Sequence, residues 1–169
     1  MDITLEQLLE ARDRRRRMQI DLLEDYPGST LMVLTVNIPG SEKRTSSSVA
    51  IGAAGVKELL TAIGNELVTF NVRDLQTGYE AYFVTRIAPL PAKRMAADIE
   101  ETHPLGRLFD IDVMQTGGLP ISGQEIGRSE RKCLICGRPA RECMRARRHS
   151  VGELLVEINR IHDGYFQRT

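Results

Sequence analysis

Two aspartates lie two residues apart in the apolar stretch "HPLGRLFDIDVM", residues 103–114. In a strand, alternate side chains share a face, so Asp110 and Asp112 would project together with Leu108 and Met114, with the aspartate α-carbons about 7 Å apart. Burying a carboxylate costs several kcal/mol unless its charge is compensated. Mg²⁺ prefers carboxylate and phosphate oxygens, and it would supply that compensation. The pair therefore predicts a magnesium site for phosphoryl or nucleotidyl transfer; the alternative is an edge strand whose aspartates meet water.

The residues just before the aspartates favour phosphate chemistry. Gly106 offers flexible backbone for substrate binding, and Arg107 offers a forked guanidinium suited to phosphate oxygens. His103 is a titratable group at the same end of the strand, although it could equally be a structural loop residue. These neighbours of the two aspartates predict a phosphate-handling site, with Arg107 and His103 as candidate site residues.

A second group of residues has the chemistry of a metal site. Three cysteines and a histidine have the spacing Cys133-x2-Cys136-x6-Cys143-x5-His149. Four such ligands can hold tetrahedral Zn²⁺, and a site filled entirely by protein is structural. The alternative is reduced thiols packed in the core. An odd number of cysteines without a secretion signal argues against a disulfide framework.

Charge is concentrated around these cysteines. The basic cysteine-rich segment, residues 127–149, has eight basic residues and two glutamates, a net charge of about +6, while the rest of the chain carries about −6. Such asymmetry favours an anionic partner, which could be nucleic acid, a polyphosphate ligand or an acidic protein; a solvated basic face is the alternative.

Length and pattern predict one α+β domain over residues 1–169, with a mixed or mainly antiparallel sheet flanked by helices. The predicted helices cover about 4–24, a serine-capped stretch ending near 63, 92–103 and 150–166; the predicted strands cover about 30–39, 67–73, 80–87 and the aspartate segment. No signal peptide or membrane-length apolar run is visible, so we expect a cytoplasmic protein with no membrane partner.

Three stretches carry a family resemblance. "HPLGRLFDIDV" (103–113), "GRSERKCLICGRPARECMRARRHSVGELL" (127–155) and, more weakly, "LEQLLEARDRRRRMQ" (5–19) resemble the apo-citrate lyase phosphoribosyl-dephospho-CoA transferases, also called citrate lyase holo-acyl-carrier-protein synthases. The resemblance implies transfer of a 2′-(5″-phosphoribosyl)-3′-dephospho-CoA group from its triphosphate precursor to a serine of the citrate lyase acyl carrier protein, with release of diphosphate.

The resemblance also implies roles for the candidate residues. Asp110 and Asp112 would position Mg²⁺ at the attacking and leaving oxygens, and Arg107 would bind the triphosphate. His103 or an aspartate would assist deprotonation of the serine. Three further basic residues would help Arg107 to bind the triphosphate: Arg128, Arg131 and Lys132.

The pattern acid-apolar-acid-apolar at 110–113 is similar to that of the nucleotidyltransferase superfamily, which implies a related fold. That superfamily places Gly-Ser about a dozen residues before the acidic pair, whereas here Gly40-Ser41 lies far upstream. The third carboxylate that such sites often use has two candidates by proximity in sequence, Glu101 and Glu125.

Two other functions remain as alternatives. A zinc-stabilised nucleic-acid-binding module would use the same basic segment, but aromatic residues for base stacking are not interleaved with its basic residues, and aspartates without a metal would repel phosphates. The second alternative is that the chain is a non-catalytic scaffold protein of the lyase complex. We therefore expect the acyl carrier protein and the triphosphate donor as partners, and no nucleic acid.

Overall fold

Four antiparallel strands form a sheet in the order β2-β3-β1-β4. The computed structural model describes residues 2–115 and 117–167. The strands are β1 (Thr30–Val36), β2 (Leu67–Leu75), β3 (Gly78–Thr85) and β4 (Phe109–Met114). The helices are α1 (Leu5–Asp25), α2 (Ser46–Ile63), α3 (Pro89–Thr102), α4 (Ala140–Arg145) and α5 (Val151–Phe166), with 3₁₀ turns at Gly64–Glu66, Gly106–Leu108 and Gly123–Ile126. The predicted α+β class with an antiparallel sheet is confirmed.

Three helices begin at capping boxes that satisfy backbone N–H groups at their first turns. Thr4 pairs with Gln7 at α1, and Ser150 pairs with Glu153 at α5. At α2 the cap is Thr45, whose hydroxyl accepts from the N–H of Ser48, so the predicted serine cap was wrong by one residue. The short α4 was missed because six residues are too few for a periodic signal.

The sheet is covered on both faces. On one face, which we call the core face, Leu34, Phe83 and Phe109 pack in a cluster that includes residues of α2, α3 and α5. Gly55 of α2 allows this close packing, because a Cβ there would lie 2.8 Å from Leu34 Cδ2. On the opposite face, Leu31, Val33, Tyr82, Val84 and Met114 pack against Met18, Leu22 and Leu23 of α1.

Strand β1 is shorter than the predicted 30–39, because the chain leaves the sheet after Val36. The N–H of Asn37 still donates to the carbonyl of Leu108, 3.1 Å away, which ties the loop after β1 to the turn before β4. Within the part of the chain that the structure describes, no helix has the length and apolar character needed to span a bilayer.

Candidate active site and metal-binding cluster

The two aspartates project from the edge strand of the sheet. In the antiparallel register, Asp110 lies opposite Thr35 and Asp112 lies opposite Val33, so both occupy the face that α1 covers, which we call the aspartate face. Met114 shares that face as predicted. Leu108 does not; it lies in the 3₁₀ turn before β4 and packs in the core-face cluster. Asp110 is half-buried and Asp112 is exposed, so the strand carries less buried charge than its sequence indicates.

Three cations from three different elements surround the aspartates. Arg131 Nη1 is 3.5 Å from Asp110 Oδ1. Lys93 of α3, Arg15 of α1 and Arg131 each lie close enough to lower the pKa of Asp112. Even so, desolvation by the surrounding protein and then the charge of Asp110 raise the pKa of Asp112 above its ordinary value, although solvent reaches this side chain. The three cations therefore oppose these effects without cancelling them.

The outer edge of β4 is covered by side chains instead of another strand. Glu100 Oε1 accepts from the N–H of Ile111 at 2.7 Å, and Lys93 Nζ donates to the carbonyl of Ile111 at 3.5 Å. Arg131 donates to the carbonyl of Phe109. These bonds satisfy an edge that would otherwise be open to pairing, and they hold Lys93 and Arg131 beside the aspartates.

The carboxylate next to Asp110 is Glu100, which the sequence analysis missed. Burial raises the pKa of Glu100, the Asp110 charge raises it further, and Arg131, 3.4 Å away, lowers it. The predicted candidates lie elsewhere: Glu101 pairs with Arg128, and Glu125 accepts from the N–H of Ser122 at 2.6 Å. A usable signal was present, because Lys93 and Glu100 are seven residues apart and so share one face of α3.

A buried ion pair fixes α1 over the aspartate face. Glu80 of β3, only 2% exposed, lies in the same cross-strand row as Thr35 and Asp110. Arg15 Nε donates to Glu80 Oε1 at 3.0 Å, and the Tyr82 hydroxyl donates to Glu80 Oε2 at 2.6 Å. Burial, followed by this hydrogen bond, raises the pKa of Tyr82 and keeps the phenol protonated. Arg15 is thereby held close enough to Asp112 to affect its pKa.

Gly106, Arg107 and Lys132 connect the turn before β4 to the basic cysteine-rich segment. A Cβ at Gly106 would lie 2.4 Å from the carbonyl oxygen of Ile99, so glycine is required here for close packing on the end of α3. Arg107 Nη2 donates to the carbonyl of Lys132 at 2.6 Å, and the Arg107 and Lys132 side chains line a common cavity.

Two predicted site residues are not brought to the aspartates. His103 packs between the rings of Phe109 and Tyr165, with centroid distances of 5.1 and 5.4 Å, on the core face of the sheet. Its Nδ1 accepts from the N–H of Leu105 at 3.0 Å, and desolvation lowers its pKa. Arg128 forms ion pairs with Asp98 and Glu101 on α3. Both residues therefore make contacts that support the fold.

The predicted metal ligands converge. One ligand atom each from Cys133, Cys136, Cys143 and His149 lies within 4.8 Å of the other three. Cys136 Sγ is 3.4 Å from Cys143 Sγ and 3.3 Å from His149 Nε2. Ligands at about 2.3 Å around a tetrahedral Zn²⁺ are separated by about 3.8 Å, so these separations suit such an ion. The cluster could hold a metal such as zinc.

A cavity of about 670 Å³ lies next to this cluster. Its walls are the loop after β1, the turn before β4, the basic cysteine-rich segment and the first half of α5. Cys133, Cys143 and His149 form part of the wall, and Arg131 lines it while also contacting Asp110.

Comparison with known proteins identifies the family. The sequence profile of the CitX family, described as apo-citrate lyase phosphoribosyl-dephospho-CoA transferase, matches residues 3–165. The chain belongs to this family. A "Probable apo-citrate lyase phosphoribosyl-dephospho-CoA transferase" from Vibrio cholerae serotype O1 (strain M66-2) is 36% identical over 170 residues, which cover 98% of this chain and 94% of that protein. The protein of the same name from Streptococcus pyogenes serotype M3 is 34% identical, with 98% and 88% covered.

The phosphoribosyl-dephospho-CoA transferase family also includes a longer relative. Protein CitXG of Haemophilus influenzae is 36% identical over 160 residues, which cover 92% of this chain and 34% of that protein. The matched residues 3–165 of this chain include the aspartate face, the Cys₃His cluster and the cavity between α5 and the basic cysteine-rich segment.

Proposed function

We propose that this chain transfers the 2′-(5″-phosphoribosyl)-3′-dephospho-CoA group to a serine of the apo-citrate lyase acyl carrier protein. The serine oxygen forms a bond to the α-phosphorus of the triphosphoribosyl group, and the bond from that phosphorus to the bridging oxygen of diphosphate breaks. The serine proton passes to solvent, and diphosphate leaves with the bond electrons. The family membership supports this reaction.

One observation supports a location for this reaction. Asp110 and Asp112 lie on one face of the sheet, and three cations surround them: Arg15, Lys93 and Arg131. Two carboxylates on one face are a donor set that suits Mg²⁺, and the pKa of Asp112 is raised by desolvation and then by the charge of Asp110. Mg²⁺ bound there would neutralise charge on the reacting phosphate oxygens. The three cations bind the remaining triphosphate oxygens and orient the α-phosphorus for in-line attack.

Mass spectrometry of the carrier tests this function. The chain is incubated with triphosphoribosyl-dephospho-CoA, Mg²⁺ and apo-carrier, and the carrier mass should rise by that of the transferred group. Asp110→Asn and Asp112→Asn should each slow transfer by about 100-fold or more, since each removes a metal ligand. Asp21→Asn, on the exposed surface of α1, is the matched control and should be fully active. Full activity in both site variants would reject the site, and an unmodified carrier with the wild-type chain would reject the reaction.

We further propose that Cys133, Cys136, Cys143 and His149 hold a structural Zn²⁺. All four tetrahedral positions would be filled by protein, so the ion would fix the basic cysteine-rich segment and take no part in the reaction. Ligating thiols must stay reduced, which is consistent with a cytoplasmic location as part of the same proposal. A nucleic-acid-binding function is not favoured, because the aspartate face repels phosphates unless a metal is bound.

A further inference from the structure

The cavity beside the Cys₃His cluster has walls of two chemical kinds. Its volume of about 670 Å³ lies within the range of about 300–1,000 Å³ that is typical of small-molecule sites. Part of the wall is apolar and comes from three elements and a connecting loop. The apolar side chains include Leu108, Leu134, Met144, Leu154 and Ile158.

The polar part of the wall is positively charged. Arg107, Arg131, Lys132 and Arg147 line the cavity, and none of the described residues that line it is acidic. A cavity with apolar walls and four cations is complementary to a ligand with a flat apolar group and several phosphate charges. Guanidinium groups both pair with phosphate oxygens and stack on planar rings, so the arginines suit both parts of such a ligand.

Arg147 occupies an unfavourable backbone conformation at this cavity. Its φ is +45°, and among the described residues it is the one non-glycine with positive φ. The left-handed region disfavours a residue with a Cβ, and glycine is the usual residue at such a position after a helix. An arginine kept in this conformation at a cavity wall indicates that its side chain has a use there.

Arg131 joins the cavity to the aspartate face. It lines the cavity, donates to the carbonyl of Phe109 and lies 3.5 Å from Asp110. A ligand that extends from the cavity past Arg131 therefore brings its next phosphate to the two aspartates. The order of groups along such a ligand is nucleoside and diphosphate in the cavity, then the reacting phosphate at β4.

We propose that this cavity binds the adenosine diphosphate part of the dephospho-CoA donor, with the apolar wall around the adenine and Arg107, Lys132 and Arg147 on the diphosphate. This inference rests on the proposed function for the identity of the donor. It adds a binding subsite that shares Arg131 with the group of residues placed around the reacting phosphate.

Filling the cavity tests the subsite by a binding measurement that needs no transfer. Wild-type chain should bind 3′-dephospho-CoA in calorimetry, ADP should compete, and pantetheine should not. Leu154→Trp, half-buried in the cavity wall on α5, should weaken 3′-dephospho-CoA binding at least tenfold. Val156→Trp is the matched control, because Val156 is 70% exposed on the same helix and is not part of the wall. Equal affinity of the two variants would overturn the subsite, as would competition by pantetheine but not ADP.

A second variant separates binding from folding. Arg147→Gly relieves the strained backbone, so the thermal unfolding midpoint should stay the same or rise while 3′-dephospho-CoA affinity falls at least fivefold. Unchanged affinity would overturn the role of Arg147. Transfer to the carrier without any 3′-dephospho-CoA binding to wild type would reject the subsite and leave the proposed function standing. The opposite result is also informative. If 3′-dephospho-CoA binding is lost in Leu154→Trp but the wild-type chain transfers nothing to the carrier, the proposed function is rejected and the subsite stands.

Discussion

Desolvation and then the charge of Asp110 disfavour the ionised form of Asp112 in the folded chain, and this should make stability depend on pH. The pKa of Asp112 is raised by desolvation and by Asp110, so the folded chain holds the Asp112 proton more tightly than the unfolded chain, whose Asp pKa is about 3.9. Stability from this group is therefore complete below the unfolded pKa and is lost as pH rises through the folded pKa.

We therefore expect Asp112→Asn to unfold at a higher temperature than wild type at pH 7 in the absence of divalent metal. The gain should be a few degrees at most, because the side chain is reached by solvent, and it should shrink as pH falls towards 4. Thermal unfolding between pH 4 and pH 8 measures it, with Asp21→Asn as the control of equal charge. A variant less stable than wild type at pH 7 would show that the Asp112 charge is already compensated by the protein.

The placement of the two aspartates on one face was predictable from the sequence, but the side chains that surround them were not. The two-residue period of a strand was enough to place Asp110 and Asp112 on one face. Arg15 reaches the aspartates from α1, which is distant in sequence, and Lys93 reaches them from α3, the helix before β4, so the residues next to 110 in sequence identify neither. The candidates Glu101 and Glu125 rested on nearness in sequence, which says nothing about which side of α3 faces the strand; the α3 carboxylate that bonds β4 is Glu100.

At the scale of elements, the basic cysteine-rich segment has little regular structure to hold it. It contains one six-residue helix, α4, and an isolated bridge between Lys132 and Pro139. Its links to the rest of the chain include the Arg107 bond to Lys132 and the contacts of Arg131 with β4. Spacing in the sequence predicted that the three cysteines and His149 could form a metal site, and their ligand atoms lie together. The cavity, whose wall includes Cys133, Cys143 and His149, depends on α5 and the loop after β1, which only the fold brings together.

We expect a metal in the Cys₃His cluster to stabilise this segment. Cys136→Ala, which removes one ligand, should lower the thermal unfolding midpoint by roughly 5–10 °C, because metal binding contributes directly to folding stability. Zinc measured by mass spectrometry of untagged protein should fall from about one per chain to a small fraction. Ile135→Ala, at the neighbouring exposed position, is the control and should keep both its zinc and its stability. If wild-type protein contains no zinc and a chelator does not change its stability, the metal site is rejected. The cysteines would then be reduced, packed thiols.

At the scale of the molecule, residues 127–149 carry a charge of about +6, and six of their eight basic residues are exposed. Arg138, Arg141, Arg145 and Arg148 are exposed and have no part in the aspartate face. Acidic proteins are attracted to such a surface at long range, which raises the association rate more than it raises affinity. The same field acts on the triphosphate donor, so a test must separate the two substrates.

Reversing two charges on α4 makes that separation. The double variant Arg141→Glu and Arg145→Glu should lower kcat/KM for the apo-carrier by about tenfold at low salt, while KM for the donor, whose cavity these side chains do not line, should change little. The deficit should shrink as salt rises towards about 0.5 M, because screening removes the long-range attraction. Lys57→Glu, exposed on α2, is the matched control and should leave both constants unchanged. A deficit that is independent of salt would point to a local defect in the segment, and an unchanged kcat/KM would place the carrier on another surface.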